Sequence, residues 1–395
     1  MKVALLSSGL VPLPPVRGGA VEEYVFQLSK NLRKLGVEAI AIDFTFSDSD
    51  TGLHEVDGSL ILKIKVSNIT RVPKKMISQE LVFGLKASEI LKEFDVIHAN
   101  TAWAGFAVTT KLRNKNLVYT CHNGLWIEEK VHAGEHIVRV IEGSTMRRSK
   151  AVIALNKAMM KALIKRARVD PQKIFIVPNG VDTEFFKPNI PADDVIKKYG
   201  LKGRRIVLFV GRVTCGKGVH LLLKAFKELI VKYKDLKLVI AGPLTDHFGE
   251  GEPSRYAKLL MCYAEKSLPR NSYVFVGQID KNTLRKLYST AYVCVLPSYV
   301  EAFPMVLIEA MASGCPVIGS SIGGIVDVIV KGVTGFIFKK GDYIDLKEKM
   351  EILLECETLR NKMSAKSREI VEKRYSWFVV ASKIVDIYRN VVRTQ

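Results

Sequence analysis

Residues 206–241 read IVLFVGRVTCGKGVHLLLKAFKELIVKYKDLKLVIA, and the fold class follows from their pattern. The two ends, Ile206–Val210 and Leu236–Ala241, are short and mostly apolar, which predicts strands buried on both faces of a sheet. Between them, Val219–Tyr233 has the periodicity of an amphipathic helix. This strand–helix–strand unit predicts parallel strands joined by a helical crossover.

The same alternation extends in both directions along the chain. Before this unit, the sequence predicts strands at Val3–Ser7, Val37–Phe44, Leu60–Val66, Asp95–Ala99, Leu117–Thr120, Ala151–Leu155 and Ile174–Val177, with a helix at Ala20–Leu35. After it, the sequence predicts strands at Tyr273–Val276, Val293–Leu296 and Pro316–Gly319, helices at Ser254–Ser267, Lys281–Thr290 and Pro304–Ala312, and a helical tail from Tyr343 to Arg393. We therefore expect an α/β protein whose parallel sheets are covered by helices on both faces.

One segment interrupts the alternation and divides the chain. Val177–Pro191 contains three prolines and an Asn-Gly pair but has no periodicity, which indicates a turn-rich connection. The length of 395 residues also favours two domains. The prediction is two doubly wound Rossmann-like domains, residues 1–182 and 183–375, which face each other across a ligand-binding cleft.

Composition and charge exclude several classes of protein. With 48% hydrophobic and 25% charged residues, the chain has the profile of an ordinary globular protein. Its apolar start, Val3–Leu6, is too short for a signal peptide, and its six cysteines form no CxxC pair, so we expect a cytoplasmic protein without structural zinc. The net charge of +20 predicts anionic partners, such as phosphorylated ligands or an anionic membrane surface. Nucleic acid is disfavoured because no basic stripe with interleaved aromatic residues is present.

The loop that follows the first strand of the quoted unit is nearly a P-loop. Gly211 and Gly216 have the spacing of that motif, and Lys217 follows them. However, the P-loop motif has a serine or threonine after this lysine, whose hydroxyl binds magnesium, and here that residue is Gly218. This difference argues against a nucleoside triphosphatase. A glycine-rich turn with Arg212 and Lys217 at a helix N-terminus still predicts phosphate binding. The alternative is an ordinary strand–helix turn with solvated charges.

A second glycine-rich turn lies near the start of the chain. Gly18 and Gly19 precede a helix whose first turn contains Glu22 and Glu23. Two glycines allow a ligand to approach the backbone closely, and the helix N-terminus offers amide donors. The acidic residues could equally complement the helix dipole. Because the turn is not GxGxxG, a nicotinamide-dependent enzyme is disfavoured.

Glutamates and a histidine are further candidates for the site. Glu301 precedes the predicted helix that starts at Pro304, and Glu309 lies inside its apolar stretch. A carboxylate there needs a ligand hydroxyl or a buried cation, although a structural ion pair would also satisfy it. His122 directly follows a strand, where ligand sites of open α/β sheets lie, but it could be an ordinary loop residue.

One acidic pair resembles a metal-binding motif. Asp48-Ser49-Asp50 is similar to the DxD sequence of metal-dependent sugar transferases. The pair lies in the polar stretch SDSDTG, which we interpret as a solvated loop. We therefore expect no metal site.

Together these features resemble the retaining glycosyltransferases of the GT-B fold, in the group called family 4 (glycosyl transferases group 1). The resemblance covers almost the whole chain and is carried by Gly18-Gly19, His122, Pro178–Asp182, Gly211-Arg212, Lys217-Gly218, Glu301, Glu309 and Tyr375–Trp377. It implies an acceptor-side domain at residues 1–182, on which the C-terminal helix, residues 376–395, packs back. It also implies a nucleotide-sugar donor domain at residues 183–375.

The resemblance assigns roles to individual residues. Arg212 and Lys217 would neutralise the donor diphosphate in place of a metal, and Glu301 and His122 would contact the donor sugar. The remaining donor contacts would be Gly18 and Gly19 at the phosphate and reactive centre, the amides of Met305 and Val306 at the phosphate, Glu309 at the ribose and Gln278 beside the base. The chain departs from the family pattern at Asn156, where serine is common, and at Pro304, where glycine often occurs.

The resulting prediction is an enzyme that moves a sugar from a nucleotide-diphosphate sugar to a saccharide, lipid-linked or small-molecule acceptor. The resemblance implies retention of the anomeric configuration and no metal or other cofactor. The enzyme would work in the cytoplasm or at the inner face of the membrane, with an anionic membrane surface as a further partner and no nucleic acid. The alternatives are a sugar-nucleotide epimerase of the same fold and an anion-binding or nucleic-acid-binding module.

Overall fold

The computed structural model describes residues 1–15, 19–67, 75–113, 115–128, 132–245 and 251–393. The chain forms two compact units. The first unit contains Met1–Gly180 together with Trp377–Gln395, and the second contains Val181–Ser376. The chain therefore leaves the first unit after Gly180 and returns to it at Trp377, near the predicted boundaries at residues 182 and 375.

The strands lie close to their predicted positions. In chain order they are β1 (Lys2–Leu6), β2 (Glu38–Thr45), β3 (Gly52–Val56), β4 (Ser59–Lys65), β5 (Val96–Ala99), β6 (Leu117–Cys121), β7 (Ala151–Ala154), β8 (Ile174–Ile176), β9 (Arg205–Val210), β10 (Leu236–Ala241), β11 (Tyr273–Gly277), β12 (Val293–Leu296), β13 (Val317–Ser320) and β14 (Gly335–Phe338). The first eight labels belong to the first unit and the others to the second.

Helices follow most of the strands. They are α1 (Ala20–Lys34), α2 (Lys75–Ile90), α3 (Ala102–Lys111), α4 (Ala133–Arg148), α5 (Lys157–Ala162), α6 (Asp193–Tyr199), α7 (Val219–Lys232), α8 (Arg255–Ser267), α9 (Lys281–Thr290), α10 (Met305–Ala312), α11 (Gly323–Val328), α12 (Tyr343–Glu355), α13 (Glu357–Tyr375) and α14 (Trp377–Arg393). The predicted helical tail is thus divided into three helices, with breaks at Cys356 and Ser376.

Each unit is built on its own sheet. The strand order is β3-β4-β2-β1-β5-β6-β7-β8 in the first unit and β11-β10-β9-β12-β13-β14 in the second. Neighbouring strands are parallel, except that β3 is antiparallel to β4. All residues of β5, β7 and β10 are buried, because helices cover both faces of each sheet. The predicted α/β architecture of two parallel-sheet, Rossmann-like domains is confirmed.

The sequence prediction contained no strand at Gly52–Val56. This strand pairs only with β4 at the edge of the sheet, and its residues are exposed or half-buried, so it lacks the apolar run that marks the other strands. The connecting residues Asp57 and Gly58 have φ values of 48° and 81°, as expected for a two-residue type I′ hairpin. A second prediction was wrong in detail: α10 begins at Met305, and Pro304 precedes it.

The C-terminal helix α14 is part of the core of the first unit. Its residues Trp377, Ile384 and Tyr388 are buried in the same cluster as Tyr24 and Leu28 of α1. Gly180 lies directly against Trp377, since a Cβ atom at Gly180 would be 2.4 Å from Cδ2 of the indole ring. The Asn-Gly pair of the connecting segment and the tryptophan of α14 therefore belong to one packing contact.

Candidate functional site

In the second unit, the sheet topology defines where a ligand site is expected. In the sheet, the central strand β9 lies between β10, which follows it in the chain, and β12. Loops that leave β9 and β12 therefore diverge at their carboxyl ends, which is where open α/β sheets bind ligands. The loop after β9 contains Arg212 and Lys217, and the loop after β12 contains Glu301.

The loop after β9 is held by backbone contacts that require glycine. Gly218 has a φ of 67°, and a Cβ atom there would lie 2.0 Å from the carbonyl oxygen of Pro297. The amide of Tyr299 donates to the carbonyl of Gly216 at 2.7 Å. The close approach of Gly218 to Pro297 and this hydrogen bond therefore join the loop after β9 to the loop after β12.

Lys217 and Glu301 meet at this position. The Lys217 Nζ atom donates to Glu301 Oε2 at 2.5 Å, and the two side chains are only 27% and 13% exposed. The structure thus brings together two residues that the sequence predicted for the site, and it joins them in an ion pair that was not predicted. Arg212 is exposed, whereas Lys217 is half-buried beside Glu301.

Glu309 lies within α10 and is half-buried. Its Oε2 atom accepts a hydrogen bond from the Tyr288 hydroxyl at 2.9 Å. Burial and the neighbouring carboxylate raise the pKa of Tyr288 well above its usual value, so this phenol remains a donor. The Tyr288 hydroxyl therefore orients the carboxylate, a positioning contact that sequence reasoning missed because the two residues lie on different helices.

The start of α10 adopts a tight turn. Pro304 has φ −84° and ψ 75°, the conformation of an inverse γ-turn, and the Met305 amide donates to the carbonyl of Phe303 at 3.0 Å. The side chains of Met305 and Val306 are half-buried. In this conformation the Met305 amide is engaged within the chain, so a phosphate contact from it requires that turn to open.

Gln278 lies in a series of glycine-rich turns that follow β9, β10 and β11. It is exposed and follows Gly277, whose carbonyl accepts from the Gly242 amide at 2.8 Å. A Cβ atom at Gly242 would lie 2.2 Å from the carbonyl oxygen of Gly211. The backbones at the ends of these three strands are therefore in direct contact. Gly242 and Gly277 shape this part of the site, but the sequence motifs did not indicate them.

In the first unit, His122 follows β6 and belongs to a hydrogen-bond chain. Its Nε2 atom lies 3.1 Å from Oδ1 of Asn100, whose Nδ2 donates to the carbonyl of Leu6 at 3.1 Å. Because the amide oxygen of Asn100 can only accept, Nε2 must carry the proton. Burial lowers the pKa of His122 to about 3. The ring is therefore neutral at physiological pH, and Nδ1 can accept a hydrogen bond from a ligand hydroxyl.

The glycine turn before α1 is described from Gly19 onward, and Gly18 lies outside the described residues. Gly19 has a φ of 104°, and a Cβ atom there would lie 2.5 Å from Oε2 of Glu22. Glu22 is buried, and its other carboxylate oxygen accepts from the hydroxyl of Ser8. Glu22 therefore packs against Gly19 and binds the loop after β1 through Ser8, which is more than complementing a helix dipole.

Two further carboxylates of the first unit, the half-buried Glu80 and the buried Glu142, were not predicted. Burial, together with the charges of Glu22 and Glu142, raises the pKa of Glu80 to about 7. Burial also raises the pKa of Glu142, which accepts hydrogen bonds from the Tyr119 hydroxyl at 2.8 Å and the Trp126 indole at 2.6 Å. Glu80 is thus a carboxyl group that can exchange a proton near neutral pH.

Asp48 and Asp50, the acidic pair of the DxD-like sequence, are bound to lysines. Lys63 Nζ lies 2.9 Å from Asp50 Oδ2, and Lys65 pairs with Asp48. Within the part of the chain that the structure describes, no group of three His, Cys, Asp or Glu side chains has the arrangement of a metal site. None of the described helices is both long enough and apolar enough to cross a membrane.

Two models of protein families match the chain on either side of the connecting segment. The model described as Glycosyltransferase Family 4 matches residues 17–185, and the one described as Glycosyl transferases group 1 matches residues 192–370. Spore coat protein SA of Bacillus subtilis is 25% identical over 402 residues, which cover 99% of this chain and all of that protein.

Solved structures resemble both units of the chain. The sucrose-phosphate synthase of Thermosynechococcus elongatus aligns over 100% of both chains with a TM-score of 0.83 and 22% identity. The HepE protein of Anabaena in complex with UDP-glucose aligns over 99% of this chain and 100% of that chain, with a TM-score of 0.76 and 21% identity. At these identities the two structures support the fold.

Proposed function

Because the chain belongs to the family 4 glycosyltransferases of the GT-B fold, we propose that it transfers a sugar from a nucleotide-diphosphate sugar to an acceptor hydroxyl, with retention and without a metal. The acceptor is a saccharide or a lipid-linked saccharide. The net charge of +20 supports the additional proposal that the enzyme works in the cytoplasm at the anionic inner face of a membrane.

The observation that carries this proposal is the fixed position of Lys217. This cation lies in a glycine-rich loop at the switch point of the second sheet, and its 2.5 Å contact with Glu301 holds it there. When the bond between the sugar and the diphosphate breaks, its electron pair goes to the leaving phosphate oxygen. A preorganised cation stabilises that developing charge, as a metal does in other transferases. Arg212, exposed in the same loop, is the second cation of this site.

Glu301 has two partners in this scheme. It orients the ammonium group of Lys217, and its second carboxylate oxygen accepts a hydrogen bond from a hydroxyl of the donor sugar. Glu309, held by Tyr288, accepts from the ribose hydroxyls. The neutral ring of His122 accepts a hydroxyl hydrogen bond of the sugar at Nδ1. Each of these contacts uses an acceptor that the structure orients in advance.

Retention requires that the acceptor oxygen bonds to the anomeric carbon on the face from which the diphosphate leaves. The acceptor proton then passes to the leaving phosphate oxygen, so no separate protein base is needed. The neutral state of His122 agrees with this scheme, since its pKa of about 3 makes it a poor proton acceptor.

A nucleotide-sugar donor is supported by the similar structure of HepE, which contains UDP-glucose. The first experiment therefore compares UDP-, GDP- and ADP-glucose with saccharide and lipid-linked acceptors, in excess EDTA. We expect release of the nucleoside diphosphate that depends on the acceptor, with a product of unchanged anomeric configuration by NMR. Epimerised donor in place of a glycoside would establish the epimerase alternative instead.

Two variants test the metal-free phosphate site. Lys217→Ala should lose about 2–4 kcal/mol of transition-state stabilisation, and its turnover number should fall accordingly. The control is Lys362→Ala, which replaces an exposed lysine of the same unit and should leave the turnover number unchanged. Replacing Asp48 and Asp50 together by alanine should leave the activity unchanged. Normal turnover of Lys217→Ala, or complete loss of activity in EDTA, would contradict the proposal.

A further inference from the structure

A second basic site lies in the first unit. A cavity of about 690 Å³ is lined by the arginines Arg139, Arg147, Arg166 and Arg168, and by no acidic side chain among the described residues. We propose that this arginine pocket binds a phosphate-bearing ligand. The proposal depends neither on the transferase activity nor on Arg212 and Lys217 of the second unit.

The pocket is built by two helices and by an unusual turn. Arg139 and Arg147 lie about two turns apart on α4. Arg166 belongs to a π-helical turn, Leu163–Ala167, that extends α5, and Arg168 follows it with a left-handed φ of 54°. Such π-turns are rare in proteins and are often found at functional sites. Here Arg166, in the turn, and Arg168, directly after it, both line the same cavity.

Backbone carbonyls orient three of the four arginines without neutralising them. Arg139 and Arg166 both donate to the carbonyl of Glu128, at 2.6 Å each, and Arg147 donates to the carbonyl of Ala167 at 2.6 Å. A carbonyl oxygen fixes a guanidinium group but carries no net charge. The positive charge of the pocket is therefore preorganised and available to an anion.

One arginine of the pocket has a hydrogen-bond donor without a partner among the described residues. The Nε atom of Arg139 is buried and has no hydrogen-bond partner among them. Burial and the nearby charge of Arg166 lower the pKa of Arg139, an effect only partly offset by Glu128 and Glu135. A bound anion would relieve both the repulsion between the guanidinium groups and the unsatisfied donor.

The lining favours an organic phosphate over a simple ion. Planar guanidinium groups match the geometry of phosphate oxygens, and a cavity of this volume is in the range of small-molecule sites. Trp126 and Val140 add apolar walls beside the arginines, and the exposed ring of His136 adds a hydrogen-bonding group. A phosphorylated saccharide and a phospholipid headgroup both have this combination of a phosphate and a carbon skeleton.

Tryptophan fluorescence reports on this pocket. The three tryptophans of the chain, Trp103, Trp126 and Trp377, all belong to the first unit, and Trp126 lines the pocket. Titration of the full chain with inorganic pyrophosphate or with glucose 1-phosphate should give a saturable change in fluorescence. The change should be lost in Trp126→Phe.

Charge variants assign the binding to the pocket. Replacing Arg147 and Arg168 together by glutamine should weaken binding about tenfold or more, since two charge-assisted contacts are lost. The matched control replaces Lys34 and Lys383, exposed lysines of the same unit, by glutamine and should bind normally. Circular dichroism checks folding. Arg168→Gln alone keeps the test available if the double variant does not fold, because Arg168 makes none of the carbonyl contacts above.

A vesicle experiment distinguishes the two sources of phosphate. The pocket variant is the protein in which Arg147 and Arg168 are replaced by glutamine. A lipid headgroup is identified if the wild type co-sediments with phosphatidylglycerol vesicles but not with phosphatidylcholine vesicles, and if the pocket variant does not co-sediment with either. Weakened binding of glucose 1-phosphate alone identifies a soluble phosphate. The proposal is overturned if the pocket variant and the lysine control behave alike with every ligand. It is also overturned if replacing Arg212 and Lys217 by alanine removes the fluorescence response.

Discussion

Replacing Glu80 by glutamine should remove a pH dependence of stability from the first unit. Glu80 lies on α2, and its carboxylate accepts from the Trp103 amide at 3.3 Å. Burial, reinforced by the charges of Glu22 and Glu142, raises its pKa from 4.5 to about 7. The folded state therefore favours the protonated carboxyl group, whereas the unfolded chain ionises it near its ordinary pKa.

The sign and size of the effect follow from this shift. Because the folded pKa is raised, the stabilisation is fully present below about pH 4.5 and is lost as the pH rises through about 7. At about 1.4 kcal/mol per pKa unit, the shift corresponds to about 3 kcal/mol of unfolding free energy. Glutamine resembles the protonated carboxyl group and does not titrate. Glu80→Gln should therefore gain up to about 3 kcal/mol over the wild type at the alkaline end of this window.

Urea denaturation of both proteins between about pH 4 and pH 8 measures the difference. Asp43, whose pKa is raised to about 6 by burial, titrates in the same range but contributes equally to both proteins and cancels. Glu89→Gln, at an exposed position of the same helix, is the matched control for the glutamine substitution. A Glu80→Gln variant that follows the wild-type pH dependence would show that Glu80 ionises normally in the folded protein.

Three other outcomes are expected. Glu309→Gln should raise the donor KM more than it lowers kcat, because the ribose that Glu309 binds does not react. Steady-state kinetics measures this change in donor binding, and the melting temperature of the variant shows whether it has also lost stability. Glu301→Gln should instead lower kcat, since Glu301 positions Lys217 where charge develops; destabilised variants of both glutamates with unaltered kinetics would contradict these roles. Gly218→Ala should cost at least about 2 kcal/mol in urea unfolding, because a Cβ atom would strike the Pro297 carbonyl and the φ is left-handed. Gly216→Ala, where nothing lies within 4 Å of the added atom, is its control.

Most of the fold could be predicted because the strands are continuous apolar runs with clear ends. Leu236–Ala241, Lys281–Thr290 and Val293–Leu296 were predicted with the bounds that the structure has. The Lys281 helix has a capping aspartate, Asp280, whose side chain accepts from the Thr283 amide. The edge strand Gly52–Val56 was missed because its one sequence signal is the Asp-Gly pair of its turn.

Sequence motifs predicted individual residues of the site but not the contacts between residues that are distant in the chain. Lys217 and Glu301 could be selected individually, but their contact joins residues 84 positions apart and depends on the order of β9 and β12. The same holds for Asn100, which sets the tautomer of His122, and for Tyr288, which orients Glu309. These partners have ordinary sequence surroundings, and only the folded sheet places them at the site.

The membership of α14 in the first unit has a consequence for synthesis of the protein. The second unit, Val181–Ser376, is continuous in the chain and is complete before Trp377–Arg393 has been made. The residues Met1–Gly180 precede the second unit, yet the helix that packs with Tyr24 and Leu28 is made only after the whole second unit. The apolar surface of α1 therefore lacks its partner helix while the second unit is being made. We expect the second unit to reach its native state first, against the usual order from the N-terminus, and nascent chains ending near residue 376 to depend on chaperones.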